Sequence, residues 1–370
     1  FKGQKIWYPQ ALDFRARVYP RPYFLQPQGP DWARSLLWFD SGLPLSESGV
    51  AWLYIHTANK WGMSKASYKE RIKWVEGNMA LLRRVGSDPL SDMTWTDADE
   101  PWGFLGACME INDLHSVGSR FISHIPVAQD ATTQGLQIYA MLLRDPISAV
   151  ATNVLPSDTP NDVYQQVADI VRRKLYDNND SYGKKWLKFG VTRSTTKRST
   201  MTLCYGSTFY SCKSYVIEWF YDELKGGKTN PFGEETYQPC AYLATLVWES
   251  IGEVVGSARR CMDWLREVAS ICEDNDVTVR WNTPLGFPVK MHYENTDRYS
   301  VKTLVNGVMR QHRLRLPNGD SNRRKTVNAI CPNLVHSLDG VGGLLGETVN
   351  LAREQGINSF LFVHDSGSVL

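Results

Sequence analysis

Two apolar segments, far apart in the chain, each end on an aspartate, and this pair constrains the fold more than any other feature. The first segment runs from Phe121 to Asp130, and the second runs through residues 357–363 to His364 and Asp365. Both have the apolar character of buried strands, whereas most other periodic segments are helical. They therefore predict a small, largely antiparallel sheet within a mostly helical α+β fold.

Helical periodicity covers much of the remaining chain. It predicts helices at residues 47–60, 133–143, 160–176, 184–205, 241–272 and 345–355. Asn161 or Asp162 is expected to cap the third of these, and Gly206 and Gly356 to stop two others. Strands are predicted on both sides of a turn at Thr283–Gly286, at 277–282 and 287–293.

Charge gives only a local signal. The net charge is +2, which by itself does not indicate nucleic-acid binding. Two stretches are nevertheless basic, each either a solvated face or a phosphate-binding surface. They contain Lys184, Lys185, Lys188, Arg193, Lys197 and Arg198 in the first and Arg310, Arg313, Arg315, Arg323, Arg324 and Lys325 in the second. Within the first stretch, Arg198 is the expected contact to nucleic acid.

Two classes of protein are not favoured by the sequence. The seven cysteines include no Cys-x-x-Cys pair, so neither a zinc site nor a disulfide framework is predicted. No apolar run approaches the length of a membrane span, and no membrane association is expected.

The two strand-end aspartates suggest phosphoryl-transfer chemistry. One such aspartate is usually a turn or cap residue. Two brought side by side would repel each other unless a divalent cation lay between them. Carboxylate oxygens suit magnesium, which takes a few carboxylates together with substrate phosphates. Asp130 and Asp365 are therefore candidate ligands in a two-metal site.

A helix face between residues 193 and 205 could bind a triphosphate. Arg193, Lys197, Met201 and Tyr205 recur every four residues, which places them on one face. Arginine offers a bidentate fork and lysine a point charge to phosphates, while the tyrosine ring could meet a base. A solvent-facing basic stripe that ends in a packed tyrosine is the plainer interpretation.

The segments that carry these residues resemble the single-subunit RNA polymerases of bacteriophages and mitochondria. They follow the order of that family over nearly the whole chain and are DFRARVYP at 13–20, QDATTQGLQ at 129–137, LPSDTPNDVY at 155–164, GVTRSTTKRSTMTLCYGS at 190–207, WNTPLGFPV at 281–289, PNLVHSLDG at 332–340 and VHDS at 363–366. The resemblance implies a right-hand polymerase with a palm built on a small antiparallel sheet and with helical fingers.

The resemblance also implies a domain arrangement. The palm is expected in residues 1–157 and 336–370, and the fingers in 158–335. The N-terminal promoter-binding domain and the thumb of the family are expected to be absent. The last palm segment is expected to be truncated, which would leave the hairpin that presents Asp365 incomplete.

The resemblance implies catalytic roles for individual residues. Asp130 and Asp365 resemble the two metal-binding catalytic aspartates of the family, with Mg²⁺ as cofactor. The backbone carbonyl of Ala131 would assist one metal, although the family usually has glycine there. Arg193 and Lys197 resemble the triphosphate-binding pair, and Lys197 would also protonate the departing pyrophosphate.

Further residues are expected to line the nucleotide and nucleic acid. Tyr205 resembles the tyrosine that helps to choose ribose over deoxyribose, and Gly206 would allow close approach of the template. Tyr164 and His336 resemble residues that line the nucleotide and primer-end site. Arg17 resembles an arginine that reaches nucleic acid near the active site.

Two positions favour RNA over DNA as the product. Related DNA polymerases share the Arg, Lys and Tyr-Gly spacing, but they place a glutamate five residues after the first catalytic aspartate, where it blocks a ribose hydroxyl. Gly135 stands at that position here, and Ser366 follows the second aspartate where those enzymes tend to have glutamate. Because Gly135 has no side chain to meet a 2′-hydroxyl, the sequence predicts ribonucleotide use.

The predicted function is therefore synthesis of RNA on a DNA template from ribonucleoside triphosphates, by a monomeric nucleotidyltransferase. The expected location is the cytoplasm of an infected bacterial host, with the mitochondrial matrix as the alternative. Two other functions stay open: a DNA polymerase of the related family, and a catalytically silent nucleic-acid-binding fragment.

Overall fold

The computed structural model describes residues 4–157 and 160–370, which form two compact units. Unit 1 contains the described residues up to Thr132, those of 156–161, and 339–370. Unit 2 contains residues 133–155 and 162–338. All strand pairs in the described residues are antiparallel and most regular structure is helical, which confirms the predicted α+β class.

The regular elements follow one another along the chain. The helices are α1 (Asp31–Arg34), α2 (Glu47–Trp61), α3 (Tyr68–Gly77), α4 (Met79–Ser87), α5 (Pro101–Val117), α6 (Gln134–Leu143), α7 (Pro146–Ala151), α8 (Val163–Asn178), α9 (Ser181–Phe189), α10 (Arg193–Met201), α11 (Phe209–Lys225), α12 (Tyr237–Val254), α13 (Gly256–Asp274), α14 (Arg323–Asp339) and α15 (Leu344–Glu354). The strands are β1 (Gln10–Leu12), β2 (Val18–Pro20), β3 (Leu43–Pro44), β4 (Ile122–Ser123), β5 (Val127–Gln129), β6 (Arg280–Asn282), β7 (Pro288–Lys290), β8 (Glu294–Val305), β9 (Val308–Ser321), β10 (Phe360–Phe362) and β11 (Gly367–Val369). Short 3-10 helices lie at Met93–Asp97, Gly118–Arg120 and Leu203–Tyr205.

The core of unit 1 lies between α2, α4 and α5. Leu53, Leu82 and Phe104, one from each helix, are almost fully buried. Helix α5 begins with Pro101, whose missing amide would have had no intrahelical partner in the first turn. The carboxylate of Asp31 accepts hydrogen bonds from the next two amides of α5, which satisfies further donors at this helix end.

The predicted strand at 121–130 is interrupted in the structure. It forms β4 and β5, which are separated around Pro126, because proline lacks the amide needed to continue a ladder. β5 is an edge of the sheet β10-β11-β5, as the proline predicts. The expectation that the Asp365 hairpin is incomplete is wrong, since β11 forms the return strand and lies between its two partners.

Unit 2 has a larger hydrophobic core, built from α6–α9 and α11–α14. Trp186 is fully buried, and its indole N–H donates to the carbonyl of Pro239 at 3.0 Å. The predicted cap of α8 is confirmed as Asp162, whose carboxylate accepts the amides of the second and third helical residues. The predicted turn at Thr283–Gly286 is also confirmed, and it joins β6 to β7 with Gly286 at φ +84°.

Two predicted long helices are each broken. The predicted helix at 184–205 becomes α9, α10 and a 3-10 turn, because the chain passes through Gly190 at φ +96° and restarts at the cap Thr192. The predicted helix at 241–272 becomes α12 and α13, which are separated at Val255. Apolar residues recur at helical spacing on both sides of Val255, so the periodicity did not reveal the break.

Strands β8 and β9 form a long two-stranded ribbon that was not predicted. They span 12 and 14 residues and are joined through Asn306 and Gly307, both at positive φ. Nearly all of their residues are exposed, including Arg310, Arg313 and Arg315 of the second basic stretch. The basic stretch therefore lies on an exposed ribbon and on the start of α14.

The compact units differ from the predicted domain bounds. Residues 133–155, which were expected in the palm segment, pack in unit 2, and the later boundary falls after Leu338 rather than after residue 335. The first predicted boundary, at 157/158, and two residues of the 155–164 motif, Asp158 and Thr159, lie outside the described residues. No helix among the described residues combines the length and apolar character that a membrane crossing requires.

Two glycines on the packed helices α4 and α5 have opposite expected responses to alanine. Gly106 of α5 has open space where a Cβ would lie. Gly106→Ala should therefore raise the free energy of unfolding by about 0.5–1 kcal/mol, because alanine has the higher helix propensity. A Cβ on Gly86 of α4 would overlap the backbone carbonyl of Cys108, so Gly86→Ala should destabilise by about 1–3 kcal/mol. Urea denaturation of the two variants checks this, and equal shifts of one sign would contradict the described packing of α4 on α5.

Candidate active site

The sheet of unit 1 brings the two predicted catalytic aspartates to one end. Strand β11 pairs with both neighbours, so that Gly367 lies opposite Gln129 on β5 and opposite Phe362 on β10. Asp130 immediately follows Gln129. Asp365 lies in the four-residue connection between β10 and β11, whose first and last residues are joined by the 3.0 Å hydrogen bond from Val363 N to Ser366 O.

The electrostatics of this end of the sheet favour a cation. Burial raises the pKa of Asp130, and the negative charge of Asp365 raises it further. The backbone hydrogen bond with Ala131 acts in the opposite direction. A divalent cation would relieve the repulsion between the two carboxylates.

The donor set fits magnesium rather than a metal held wholly by protein. Among the described residues, no group of three or more His, Cys, Asp or Glu side chains forms a candidate metal cluster. Magnesium is commonly bound by one or two carboxylates together with substrate phosphates and water. Asp130 and Asp365 supply two carboxylates, and the carbonyl of Ala131 follows directly in the chain.

Arg17 does not have the surroundings that the sequence predicted. Its side chain is buried with 6% exposure, and its Nε donates to Asp339 Oδ1 at 2.9 Å while Nη2 donates to Asp339 Oδ2. The same Nη2 lies 3.6 Å from Asp365 Oδ2. In this structure the Nε and Nη2 donors of the guanidinium are therefore directed at carboxylates, and the contact from Arg17 to nucleic acid stays a prediction.

Asp339 was not singled out from the sequence. It is fully buried at the last residue of α14, and burial raises its pKa to about 6 although Arg17 opposes that shift. The only sequence signal was an aspartate followed by glycine at a helix end. Its importance depends on a partner 322 residues away.

The backbone around Arg17 is held firmly. Ala16 has φ +62°, and its carbonyl accepts the amide of Val341 at 3.0 Å. A Cβ on Gly340 would lie 2.6 Å from the same carbonyl, so the chain requires glycine at this close approach. Asp13 accepts the amide of Arg17 at 3.1 Å and closes the turn.

His364, which also was not singled out, borders Asp365. Its Nδ1 lies 2.9 Å from Asp365 Oδ1, but the geometry is not that of a hydrogen bond. Its ring centroid is 5.7 Å from that of Tyr19. The candidate metal site thus has aromatic neighbours on one side.

In unit 2, Arg193 and Lys197 lie one turn apart on α10. The guanidinium of Arg193 donates to Asp162 and lies over the ring of Tyr164, 4.8 Å from its centroid. Tyr164 is 8% exposed, and burial raises its phenol pKa to about 12. Lys197 is exposed and pairs with no residue in the part of the chain that the structure describes.

Tyr205 lies beyond α10, in the 3-10 turn Leu203–Tyr205. Its ring is 5.1 Å from the ring of His336, so the structure brings these two predicted residues together. Gly206 follows at φ +92°, where a Cβ would be 3.3 Å from the carbonyl of Asn328. The sequence spacing had suggested that Tyr205 continues the helix face of Arg193. The structure differs, because α10 ends at Met201 and Tyr205 lies in the 3-10 turn.

Gly135 is buried on α6, away from solvent. A Cβ there would overlap Sγ of Cys204 and would lie 3.4 Å from Val335 Cγ1. Close packing alone thus requires a small residue at this position. The structure offers a second reason for the glycine on which the ribose prediction rests.

Arg198 faces a different environment from Lys197. Its guanidinium pairs with Glu218 and lies 4.2 Å from the ring centroid of Tyr215. Both partners are on α11. The predicted nucleic-acid contact of Arg198 stays a prediction, and it would have to compete with Glu218.

Comparison with known proteins identifies the family. The sequence model of the family described as DNA-dependent RNA polymerase matches residues 43–369. The chain belongs to this family. T7 RNA polymerase of Escherichia phage T7 is 34% identical over an alignment 404 residues long, gaps included. The alignment covers 98% of this chain and 45% of the phage protein.

Mitochondrial members are similarly related. The mitochondrial DNA-directed RNA polymerase of Schizosaccharomyces pombe is 33% identical, with 99% of this chain and 32% of that protein covered. The human mitochondrial DNA-directed RNA polymerase is 34% identical, with 98% and 29% covered. These matches confirm the resemblance to phage and mitochondrial RNA polymerases. The chain spans less than half the length of these relatives.

The packing of Gly135 can be tested separately from ribose selection. Gly135→Ala should lower the free energy of unfolding by about 1–3 kcal/mol, because the added Cβ overlaps the sulfur of Cys204. In the Gly135→Ala/Cys204→Ala variant the sulfur is gone, so part of that loss should return. A double-mutant cycle in urea measures this coupling. Strictly additive losses would show that Cys204 is not what requires a glycine at Gly135.

Proposed function

We propose that this chain carries the catalytic core for template-directed RNA synthesis by two-metal nucleotidyl transfer. The observation that carries the proposal is the β10-β11-β5 sheet, whose register puts Asp130 and Asp365 at one end. Membership of the DNA-dependent RNA polymerase family supports the same chemistry. The reaction is attack of the 3′-hydroxyl of the growing RNA on the α-phosphate of an incoming ribonucleoside triphosphate.

Asp130 and Asp365, with the carbonyl of Ala131, are the residues that would hold magnesium. Bound Mg²⁺ supplies activation of the 3′-hydroxyl and neutralisation of the charge that develops on the transferred phosphate. Strand pairing fixes the backbone positions of the two aspartates. Their carboxylates would therefore be held in place for the metal. In this proposal unit 1 forms the palm of the polymerase.

The same reaction needs cations for the triphosphate, and α10 of unit 2 offers two. Arg193 would bind the β- and γ-phosphates through its fork after exchanging Asp162 for phosphate oxygens. Lys197, which is exposed and has no partner among the described residues, would bind the same phosphates and protonate the departing pyrophosphate. In this proposal unit 2 contains the fingers.

Ribonucleotide use rests on the relatives and on local residues. The relatives compared above are named RNA polymerases. Tyr205, with His336 beside it, is the proposed selector of ribose, and Gly206 the point of close template approach. Gly135 has no side chain to block a ribose hydroxyl, and Ser366 stands where the related DNA polymerases tend to have glutamate.

The proposed partners are a DNA template, the nascent RNA and ribonucleoside triphosphates, with the chain acting as a monomer. Phage relatives favour the cytoplasm of an infected bacterium, and mitochondrial relatives keep the mitochondrial matrix as the alternative. The alternatives are a DNA polymerase of the related family and a nucleic-acid-binding protein without activity.

Primer extension on a DNA template, with Mg²⁺, separates these functions. The 370-residue chain should extend an RNA primer with ribonucleotides, and Asp130→Asn or Asp365→Asn should lower the rate at least 1,000-fold, because each removes a metal-binding charge. Asp113→Asn, on the exposed side of α5, is the matched control and should not change the rate. Template binding should survive in every variant.

Each contrary result has a distinct meaning. A preference for deoxyribonucleotides would favour the related DNA polymerases. Binding of the template without any extension would favour the silent fragment. Near-normal rates in Asp130→Asn and Asp365→Asn would remove the metal-site assignment.

Adjacent cations on α10 provide a second test. Lys197→Gln should weaken binding of a ribonucleoside triphosphate about 10- to 100-fold, since it removes a charge-assisted contact worth about 1.5–3 kcal/mol. Arg198→Gln removes a cation that is paired with Glu218, and triphosphate affinity should stay within about twofold. Equilibrium binding of a fluorescent triphosphate measures both. Equal losses would point to a general field effect rather than a specific site.

A further inference from the structure

The WNTPLGFPV segment at 281–289 contributes no residue to the reaction proposed above, yet it contacts α14 beside His336. It includes most of β6 and β7 and the turn between them. The indole N–H of Trp281 donates to Oγ of Ser337 at 2.9 Å. Ser337 is fully buried, follows His336 directly in the chain, and donates its own hydroxyl to the carbonyl of Leu334 at 2.8 Å. The β6–β7 hairpin therefore fastens the turn of α14 that carries His336.

Helix α14 contains a proline, and this makes the position of its second half depend on contacts outside the helix. Pro332 has no amide to donate to the carbonyl one turn earlier, so an intrahelical hydrogen bond is missing where the helix is prone to bend. Directly after the proline, Asn333 Nδ2 donates to the hydroxyl of Tyr293 at 2.8 Å. One turn later on the same face, Ser337 accepts from Trp281. These two hydrogen bonds set the direction of the segment.

A different face of α14 packs on the 3-10 turn that carries Tyr205. Pro332 and His336 are one turn apart and both lie against this turn. The ring of His336 is 5.1 Å from that of Tyr205, and Cδ of Pro332 lies 4.0 Å from the point that a Cβ on Gly206 would occupy. The second half of α14 is thus held by the Tyr205 turn on one face and by the hairpin on another. Because Ser337 adjoins His336, a displacement of one moves the other.

We propose that Trp281 is a positioning residue: acting through α14, it holds His336 against Tyr205 and so helps to select ribose. The proposal rests on the ribose-selecting role proposed above for Tyr205 and His336. Without the indole N–H, the second half of α14 tilts about Pro332 and the two rings lose their fixed separation. Recognition of a 2′-hydroxyl depends on a fixed arrangement, because a group that moves with its surroundings adapts to either sugar.

A purely structural role for this hydrogen bond makes a different prediction. Loss of a hydrogen bond lowers stability wherever it lies in unit 2. Trp186 provides the matched comparison, because its indole N–H also donates inside unit 2, to the carbonyl of Pro239 at 3.0 Å. If Trp281 only stabilised the fold, the phenylalanine variants of both tryptophans would lower stability and leave the choice of sugar unchanged. If Trp281 positions His336, only Trp281→Phe should change that choice.

The test compares binding of ATP and dATP to the 370-residue chain on a DNA template whose RNA primer lacks a 3′-hydroxyl, so that no chemical step is needed. The measured quantity is the dissociation constant of dATP divided by that of ATP. Trp281→Phe and Ser337→Ala should each lower this ratio about 3- to 10-fold, the effect of losing one typical hydrogen bond. The double variant should match the single ones, because each removes the same bond. Trp186→Phe should lower the midpoint of urea unfolding and leave the ratio unchanged.

The outcomes separate this proposal from the ribose-selecting role on which it rests. A wild-type chain that does not favour ATP over dATP, or a Tyr205→Phe variant with the wild-type ratio, would overturn both. If Tyr205→Phe lowers the ratio but Trp281→Phe and Ser337→Ala do not, the positioning role alone is wrong. It is also wrong if Trp186→Phe lowers the ratio equally or if the losses in the double variant are additive. If Trp281→Phe does not fold, Ser337→Ala decides, since it removes a single oxygen.

Discussion

The pairing of β5 with β11 is the constraint on which the candidate active site depends. Neither Asp130 nor Asp365 is unusual in its own segment, and each follows a short apolar strand. The antiparallel register, with Gly367 opposite Gln129, puts them at the same end of one sheet. Around that end lie Arg17 and Asp339, whose buried ion pair is tolerated because the two groups satisfy each other.

Much of the fold could be predicted from local sequence signals with a clear physical cause. Asp162 caps α8 because its carboxylate reaches the first free amides, and Gly286 allows the turn between β6 and β7. The break at Val255 could not be predicted, since the buried side chains keep the same spacing on both sides. The ribbon of β8 and β9 was missed although two local signals were present. Apolar and polar residues alternate around Tyr299 and Val301 and around Leu314 and Leu316, and Asn306-Gly307 is a favoured hairpin turn. These apolar side chains are exposed, so the alternation does not mark a core-facing strand.

Site residues were predictable to the extent that their function depends on short spacing. Arg193 and Lys197 lie on one helix, as their spacing indicated. The surroundings of Arg17 depend on Asp339, which is 322 residues away, and spacing carries no information about such a partner. Gly135 presents a different difficulty, because two physical explanations account for the same glycine. Close packing against Cys204 excludes a larger side chain, and the position five residues after Asp130 is where a side chain would block a ribose hydroxyl.

The order of the segments has a consequence for how the protein is made. β5 is synthesised before unit 2 (residues 133–155 and 162–338), whereas its partner β11 is synthesised only after all of unit 2. Until then β5 is an apolar strand with an open edge, the kind of surface that pairs with other chains. Loop closure over so long a segment is slow as well as entropically costly. The two aspartates therefore come together only after the last residues of unit 2 have been synthesised, and until then the open edge of β5 has to be kept from pairing with other chains.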